Sequence, residues 1–302
     1  MSAVGWRYGW PGALFEGTLV RRYHRFLADV RLADGREVTA HCVNPGRMEG
    51  LVERGARVWV THEQNAKRKL QFTWQVIARE GGLWVGTNTV LPNAVVGAML
   101  QARVLPGFED HLSFRAEVSY GESSRIDFAV ETDEGVHWIE VKNIHLVYPD
   151  GGAYFPDSVS ERGSKHLREL TELAERGQRC TVQFVVQRGD ARFVRPSDVH
   201  DPVFARAARE AARAGVHFRA SVFDVDAQGL RCRGEVPVDL GVYGLEAPRA
   251  WMEALRATSG WERPKKAVVE GAVEAEAAVV AVKKVKRATA EKRPVKAAKA
   301  KR

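Results

Sequence analysis

A chain of 302 residues with 45% hydrophobic content can fill two ordinary cores, since single domains usually run to roughly 100–200 residues. Its apolar runs, such as residues 94–100, fall short of the roughly 18 uncharged residues a membrane span needs, and the N-terminus lacks a basic-then-apolar signal, so a soluble cytoplasmic protein with no membrane partner is expected. The net charge of +8 is unevenly spread: residues 1–85 hold 13 Lys and Arg against 8 acids, residues 86–261 hold 20 against 25, and residues 262–302 hold 13 against 5.

From residue 15 to 75 the chain reads as short strands separated by turn signals, at residues 15–21, 25–32, 36–42, 56–62 and 70–78, with Asp34-Gly35 as a hairpin turn between the second and third. Five short strands without a helical period suggest a small closed barrel of the OB type over residues 1–85. A second pattern fills residues 86–261. A buried helix at 92–104 opens on Pro92, and strands at 113–120, 125–131 and 136–142 follow it. After a Gly- and Pro-rich loop at 148–157 comes a helix at 160–176, capped by Ser160, striped by Leu167, Leu170, Leu173 and Ala174, and stopped at Gly177. A strand at 179–187, a helix at 202–214 and strands at 216–225 and 230–236 complete an αβββαβαββ order. The class is α+β, a barrel followed by a mixed sheet with helices. Residues 262–302 repeat Ala, Val, Lys, Arg and Glu and are expected to be a disordered basic tail. Cys42, Cys180 and Cys232 are odd in number and far apart, which fits buried reduced thiols better than a zinc site or a disulfide framework.

The chemistry concentrates in one hairpin. A four-residue loop, Thr132 to Gly135, pairs Glu131 with Val136 and sets Asp127 opposite Glu140. Their Cβ atoms are then ~4.5–5.5 Å apart on one face. Lys142 points to the same side, while Ile126, Phe128, Ile139 and Val141 point into a core. A loop one residue shorter would separate the acids. Two carboxylates this close repel each other unless a proton or a cation intervenes. Mg²⁺, with Mn²⁺ as its substitute, suits two carboxylates and water, and Glu117 on the preceding strand is a candidate third ligand. Lys142 is placed to orient a water or to stabilise charge on a phosphate, so Asp127, Glu140 and Lys142 are the candidate catalytic set. The plainer alternative is a surface hairpin with a cross-strand ion pair.

Several stretches together resemble the sugar fermentation stimulation protein A family. They are Arg22-Tyr23-His24-Arg25-Phe26-Leu27-Ala28-Asp29-Val30; His41-Cys42 followed by Asn44, Gly46 and Met48; and Asn65-Ala66-Lys67-Arg68-Lys69. The series continues with Ser124-Arg125-Ile126-Asp127-Phe128, Ile139-Glu140-Val141-Lys142, Phe155-Pro156-Asp157 and the run from Glu161 to Leu170. The resemblance implies an N-terminal OB-type barrel joined to a PD-(D/E)xK nuclease-like domain, DNA binding, and a regulatory role in sugar metabolism. Asp127, Glu140 and Lys142 fall on the nuclease motif, with Ile126 at the position of its Pro. The acidic residue often carried by the first helix of such nucleases is absent from residues 92–104, which bears on cleavage more than on binding.

Cations interleaved with aromatics mark the candidate DNA contacts. They are Arg22 and Arg25 beside Tyr23 and Phe26; Lys67, Arg68 and Lys69 beside Phe72 and Trp74; Arg125; and Lys165, which with His166 opens the helix after the hairpin. His41, Asn44 and Arg47 lie in a turn-rich stretch that either meets a ligand or holds itself together. Three functions stay open: a DNA-binding protein with a nuclease-like metal site, associated with the nucleoid; a Mg²⁺-dependent phosphodiesterase; and a transcriptional co-regulator whose nuclease site is a relic. Removing residues 262–302 is expected to weaken non-specific DNA affinity and flatten its dependence on salt; an unchanged salt slope in a binding titration removes the tail from the account.

Overall fold

A computed structural model describes residues 3–65, 67–120 and 124–258. The basic tail at 262–302 and the loop residues 121–123 lie outside the described residues. Strand β1 (Arg7–Tyr8) is followed by β2 (Leu14–Tyr23), β3 (Leu27–Leu32), β4 (Glu37–His41), β5 (Arg57–His62), β6 (Phe72–Ala78) and β7 (Trp84–Gly86). Alternation in the sequence decides which way each strand faces: along β3, Ala28, Val30 and Leu32 are buried while Arg31 is exposed. The strands lie in the order β4-β3-β2-β5-β6-β7, and parallel pairing of β4 with β6 at Ala40↔Phe72 and His41↔Thr73 closes the first five into an OB-like barrel. Leu19, Val30, Val58, Val60, Trp74 and Ile77 fill it. Gly17 is required by close approach, since a Cβ there would stand 2.5 Å from Val30 Cγ1.

Next come α1 (Leu91–Gln101), β8 (Ser113–Tyr120), β9 (Ser124–Thr132), β10 (Gly135–Ile144), β11 (Gly152–Phe155), α2 (Glu161–Glu175), β12 (Arg179–Val186), β13 (Phe193–Pro196), α3 (Pro202–Arg213), β14 (His217–Asp226), β15 (Gly229–Glu235) and α4 (Glu246–Thr258). Seven strands form a mixed sheet in the order β1-β15-β14-β12-β10-β9-β8, with β10, β12 and β14 parallel at its centre. Strand β12 is buried continuously from Cys180 to Val186, as a parallel strand covered on both faces should be. Its residues alternate between two cores. Val185 joins α1, Phe128, Ile139 and Phe223, whereas Val182, Phe184 and Val186 join Leu167, Leu170 and Leu173 of α2 and Phe204 of α3.

The sequence reading missed β1, β7, the two-stranded β11–β13 sheet and α4. β1 and β7 are two and three residues long, too short to show a period. β11 lies inside the stretch taken as loop, and α4 is held by packing of Met252, Trp251 and Leu255 against Tyr148 and Tyr154. Residues 7–8, counted with the barrel, instead pair with β15 of the second sheet at Arg7↔Arg231 and Tyr8↔Leu230. The boundary expected at residue 85 runs through a shared core, because Trp59 and Val76 of the barrel pack in one cluster with Leu91, Val95 and Phe128. A buried polar chain crosses the same border. Gln75 Nε2 donates to Thr61 Oγ1 (2.8 Å), Asn88 Nδ2 to Gln75 Oε1 (3.0 Å), and Gln187 Nε2 to the Asn88 carbonyl (2.9 Å) and to Asn143 Oδ1 (2.6 Å).

Cys42, Cys180 and Cys232 are free and buried, and burial pushes the Cys180 thiol up to about 12. Among the described residues no helix is long and apolar enough to cross a membrane.

Arg22 is not the DNA contact its neighbours suggested. It is 1% exposed, and its guanidinium donates to the carbonyls of Arg25, Asn44, Gly46 and Arg47. Asn44 serves the same loop, its Oδ1 accepting from the Gly46 N–H at 2.9 Å. A barrel surface offers no reason to bury a guanidinium, but a tight loop with inward carbonyls does, since each unpaired buried acceptor is costly. Arg22→Ala is expected to destabilise the fold by about 3–5 kcal/mol, checked by urea denaturation; a loss under about 1 kcal/mol contradicts this role.

Candidate functional site

The β9–β10 hairpin has the expected register. Glu131 pairs with Val136, and Thr132 pairs with Gly135, whose φ of +100° closes the turn. The ladder runs to Ile139↔Phe128 and stops one step before Asp127 and Glu140. At that step Asp127 Oδ2 accepts the Val141 N–H at 2.7 Å, so a side chain takes the place of a backbone acceptor. The ladder on the other side of β9 is interrupted too. Pairing skips from Ala116↔Phe128 to Val118↔Ile126, and Glu117 between them has a left-handed φ of +53°. Ile126 and Phe128, expected on one face, consequently join different cores.

Asp127 is thus held where β9 is released from both neighbours. Its Oδ1 accepts from Asn93 Nδ2 of α1 at 2.7 Å. Glu140 is 3% exposed and its Oε1 is bound by Lys142 Nζ and by His166 Nδ1 of α2. Arg162 Nε reaches His166 Nε2 at 3.3 Å; a guanidinium only donates, so Nε2 accepts and the imidazole proton sits on Nδ1, directed at Glu140. The helix that carries His166 is fixed at its start, where Ser160 Oγ accepts from Gly163 N (3.1 Å) and Ser160 N donates to Asp201 Oδ2 (2.7 Å).

The two acids are pushed apart electrostatically. Burial and then the Glu140 charge raise Asp127 above the usual carboxylate range, outweighing its hydrogen bonds and Lys142. Burial would also raise Glu140, but Lys142 and His166 together hold it below that range. Asp127 stands on the wall of a cleft of about 640 Å³. Arg125 lies beside it, Arg162, Lys165 and His166 come from α2, and Thr89, Val90 and Asn93 come from the start of α1.

Of the residues singled out in the sequence, Asp127, Glu140 and Lys142 meet as expected, and Arg125 and Lys165 stand at the same cleft. Glu117 lines the cleft, but its exposed side chain lies 3.9 Å from Arg125, and among the described residues no three His, Cys, Asp or Glu side chains are grouped to hold a metal. The expected three-carboxylate set is therefore not assembled, and Asp127 has the Asn93 amide as its neighbour from α1. Arg25, Lys67 and Lys69 are exposed on barrel loops, while Arg68 is braced between Glu63 (3.2 Å) and Thr73 Oγ1 (3.1 Å). Trp74, grouped with them as an aromatic face, is buried inside the barrel. Asn93 and Arg162 were missed, and His166, noted only beside Lys165 at the opening of the helix, binds Glu140. Only the i, i+4 spacing of Arg162 and His166 on a helix after the hairpin carried a signal.

Comparison with known proteins places two matches along this architecture. Residues 20–87 match the model described as SfsA N-terminal OB domain, and residues 90–229 match the Sugar fermentation stimulation protein RE domain. A sugar fermentation stimulation protein homolog of Geobacter sulfurreducens is 45% identical over 231 residues, 76% of this chain and 98% of its own. One of Thioalkalivibrio sulfidiphilus is 46% identical over 233 residues, 77% and 98%. Among solved structures, Pyrococcus furiosus SfsA in complex with Ca²⁺ superposes with a TM-score of 0.70 at 26% identity, covering 78% of this chain and 99% of that one.

Because the folded protein holds the Asp127 proton more tightly than the unfolded chain does, this group favours folding at low pH, and that contribution is lost as pH rises through its raised value. Asp127→Asn is expected to gain melting temperature relative to wild type as pH rises from the ordinary carboxylate range to neutrality, on top of a pH-independent loss because its amide replaces only one of the two acceptor oxygens. Calorimetry in chelator that finds no relative gain of the variant across that pH range contradicts this. Glu140, held low, contributes stability at neutral pH that is lost on acidification, so Glu140→Gln should lower the melting temperature at neutral pH.

Proposed function

The chain belongs to the sugar fermentation stimulation protein family, and from that footing we propose that it is a cytoplasmic DNA-binding protein whose second domain holds a divalent cation, Mg²⁺ or Mn²⁺, between Asp127 and Glu140. The observation that carries this reading is Asp127 itself: a carboxylate on a cleft wall, raised by burial and by the charge of Glu140, with Arg125, Arg162 and Lys165 around the same cleft. Two hard oxygen donors suit a small divalent ion, and one bound there would offset the Glu140 charge that, after burial, lifts Asp127. The Pyrococcus furiosus relative was solved with Ca²⁺, an ion of the same hard, oxygen-seeking class. The cleft cations supply the complementary half, since a phosphodiester brought to an acidic centre needs positive charge around it.

Each neighbouring residue then has a task. Lys142 and His166 fix the Glu140 carboxylate in one orientation, and Asn93 does the same for Asp127. The cation, when bound, supplies charge neutralisation at a phosphate oxygen and acidifies water. The chain's first helix offers an amide at the site where a further acid would strengthen metal binding, which supports DNA retention ahead of cleavage. A second reading, a metal-dependent phosphodiesterase, is favoured by Lys142, whose ammonium lies beside Glu140 at the place where a water or a scissile phosphate would be stabilised.

Labelled duplex DNA incubated with the protein, with and without Mg²⁺ or Mn²⁺, separates the readings. Retention without product in wild type, Asp127→Ala and Lys142→Ala supports the binding protein, whereas cleavage abolished by both substitutions selects the phosphodiesterase. DNA recruited only through another protein favours the co-regulator. Millimolar Ca²⁺ or Mg²⁺ is expected to raise the melting temperature of wild type and leave Asp127→Asn unmoved; no rise in wild type removes the cation from the account.

A further inference from the structure

We propose that the barrel carries a separate site for single-stranded nucleic acid, in which a base stacks on the exposed Phe15 ring, braced by His62 and Phe72, while the adjoining phosphates meet Lys67 and Lys69. The proposal is independent of the metal cleft and refines the nucleic-acid-binding reading on which it rests.

Phe15 is 38% exposed and is the one aromatic among the exposed large hydrophobic side chains of the described residues. It does not stand alone. Its ring centroid lies 6.1 Å from that of Phe72, edge to face, and 6.4 Å from that of His62, and the His62 and Phe72 rings are 4.9 Å apart. The group is assembled by three strands, because Phe15 lies on β2, and His62 and Phe72 are direct partners across β5 and β6. The ring planes stand 58–88° apart, so the exposed Phe15 ring is the stacking platform and His62 and Phe72 brace it. A nucleobase is the planar group such a platform suits, since every base has a π face.

The second half of the argument is what the chain does between two of those rings. The segment linking β5 to β6 leaves directly after His62 and returns directly before Phe72, so its cations are anchored at the platform. Its described residues are tied down: Glu63 N donates to the Gln71 carbonyl (2.7 Å), Lys67 N to Asn65 Oδ1 (3.0 Å), and Gln71 Nε2 to the Arg68 carbonyl (2.6 Å). Arg68 is occupied by Glu63 and Thr73, which neutralises the nearest carboxylate, and Glu16 on β2 is matched by Arg57 at 3.0 Å. Lys67 and Lys69 project as exposed side chains from this braced segment. Stacking surface and ammonium groups at one end of a barrel recognise an unpaired strand, whose bases are available. A duplex keeps its bases stacked internally and can offer only phosphates to the same lysines.

Anisotropy of a labelled oligothymidylate of about ten nucleotides, within the roughly 4–16 nucleotides an OB fold covers, tests this with the full chain at moderate salt, where the electrostatic contribution of other basic segments is reduced. Phe15→Ser is expected to weaken binding about tenfold with little change in salt slope, Phe15→Trp to retain it, and Lys67→Glu to weaken it and flatten the slope. The corresponding oligouridylate tells DNA from RNA as the preferred strand. Equal affinity of wild type and Phe15→Ser, or the same loss for a blunt duplex as for the single strand, overturns the proposal. So does a full chain that does not bind the oligonucleotide. Ca²⁺-dependent stabilisation measured on Phe15→Ser reports separately on the metal cleft, so failure of one site is not mistaken for failure of the other.

Discussion

Two carboxylates forced together in a half-buried place organise this molecule. The β9–β10 hairpin brings Asp127 and Glu140 close just beyond the end of its ladder, burial strengthens their repulsion, and the surrounding structure is arranged to tolerate it. Glu140 is kept ionised by an ammonium and an imidazole N–H, while Asp127 is lifted and tied by an amide and a backbone N–H. The strand that carries Asp127 gives up ladder pairing on both sides at that residue, and Glu117 opposite takes a backbone conformation unusual for a side chain of its size. Departures of this kind are concentrated where a chain is shaped for something other than stability.

Holding that arrangement requires rigid neighbours, and they come from far apart in the sequence. Asn93 is presented by a helix whose residues share a core with barrel Trp59 and Val76, and whose entry is fixed by the Thr61–Gln75–Asn88–Gln187 chain of hydrogen bonds. Arg162 and His166 are presented by a helix whose start is tied to Asp201 and whose stripe packs on the opposite face of the sheet. The barrel is therefore part of the scaffold of the cleft. Domain motion between them would open a shared apolar core, which argues for one body in solution.

Basic residues with the same sequence context have opposite fates. Arg22 stands among Tyr23, His24 and Arg25 in what reads as a nucleic-acid stripe, yet it is the internal brace of the segment from Asn44 to Arg47. Arg68 is tied to Glu63 and Thr73 while Lys67 and Lys69 on either side point outward. Arginine's fork fits several carbonyl or carboxylate oxygens at once, and lysine's single hydrated ammonium does not, which suits Arg22 and Arg68 to bracing roles, while Arg25 of the first run stays exposed.

What the sequence determined by itself is local. Period-two alternation gave the five barrel strands and the β8–β9–β10 meander, Asp34-Gly35 and Gly135 fixed their turns, and the loop length alone set Glu131 against Val136 and so brought Asp127 and Glu140 together. A leucine stripe with a Ser cap and a Gly stop marked α2. Tertiary structure decided everything that depends on a partner distant in the chain: the seating of β1 on β15, the two-stranded β11–β13 sheet, the turning of β9 at Asp127, and the arrival of Asn93, Arg162 and His166. The physical reason is that a strand's period and a turn's φ are properties of neighbouring residues. Whether a buried arginine finds four carbonyls, or a carboxylate finds an imidazole 26 residues away, is settled only when separate elements pack against one another.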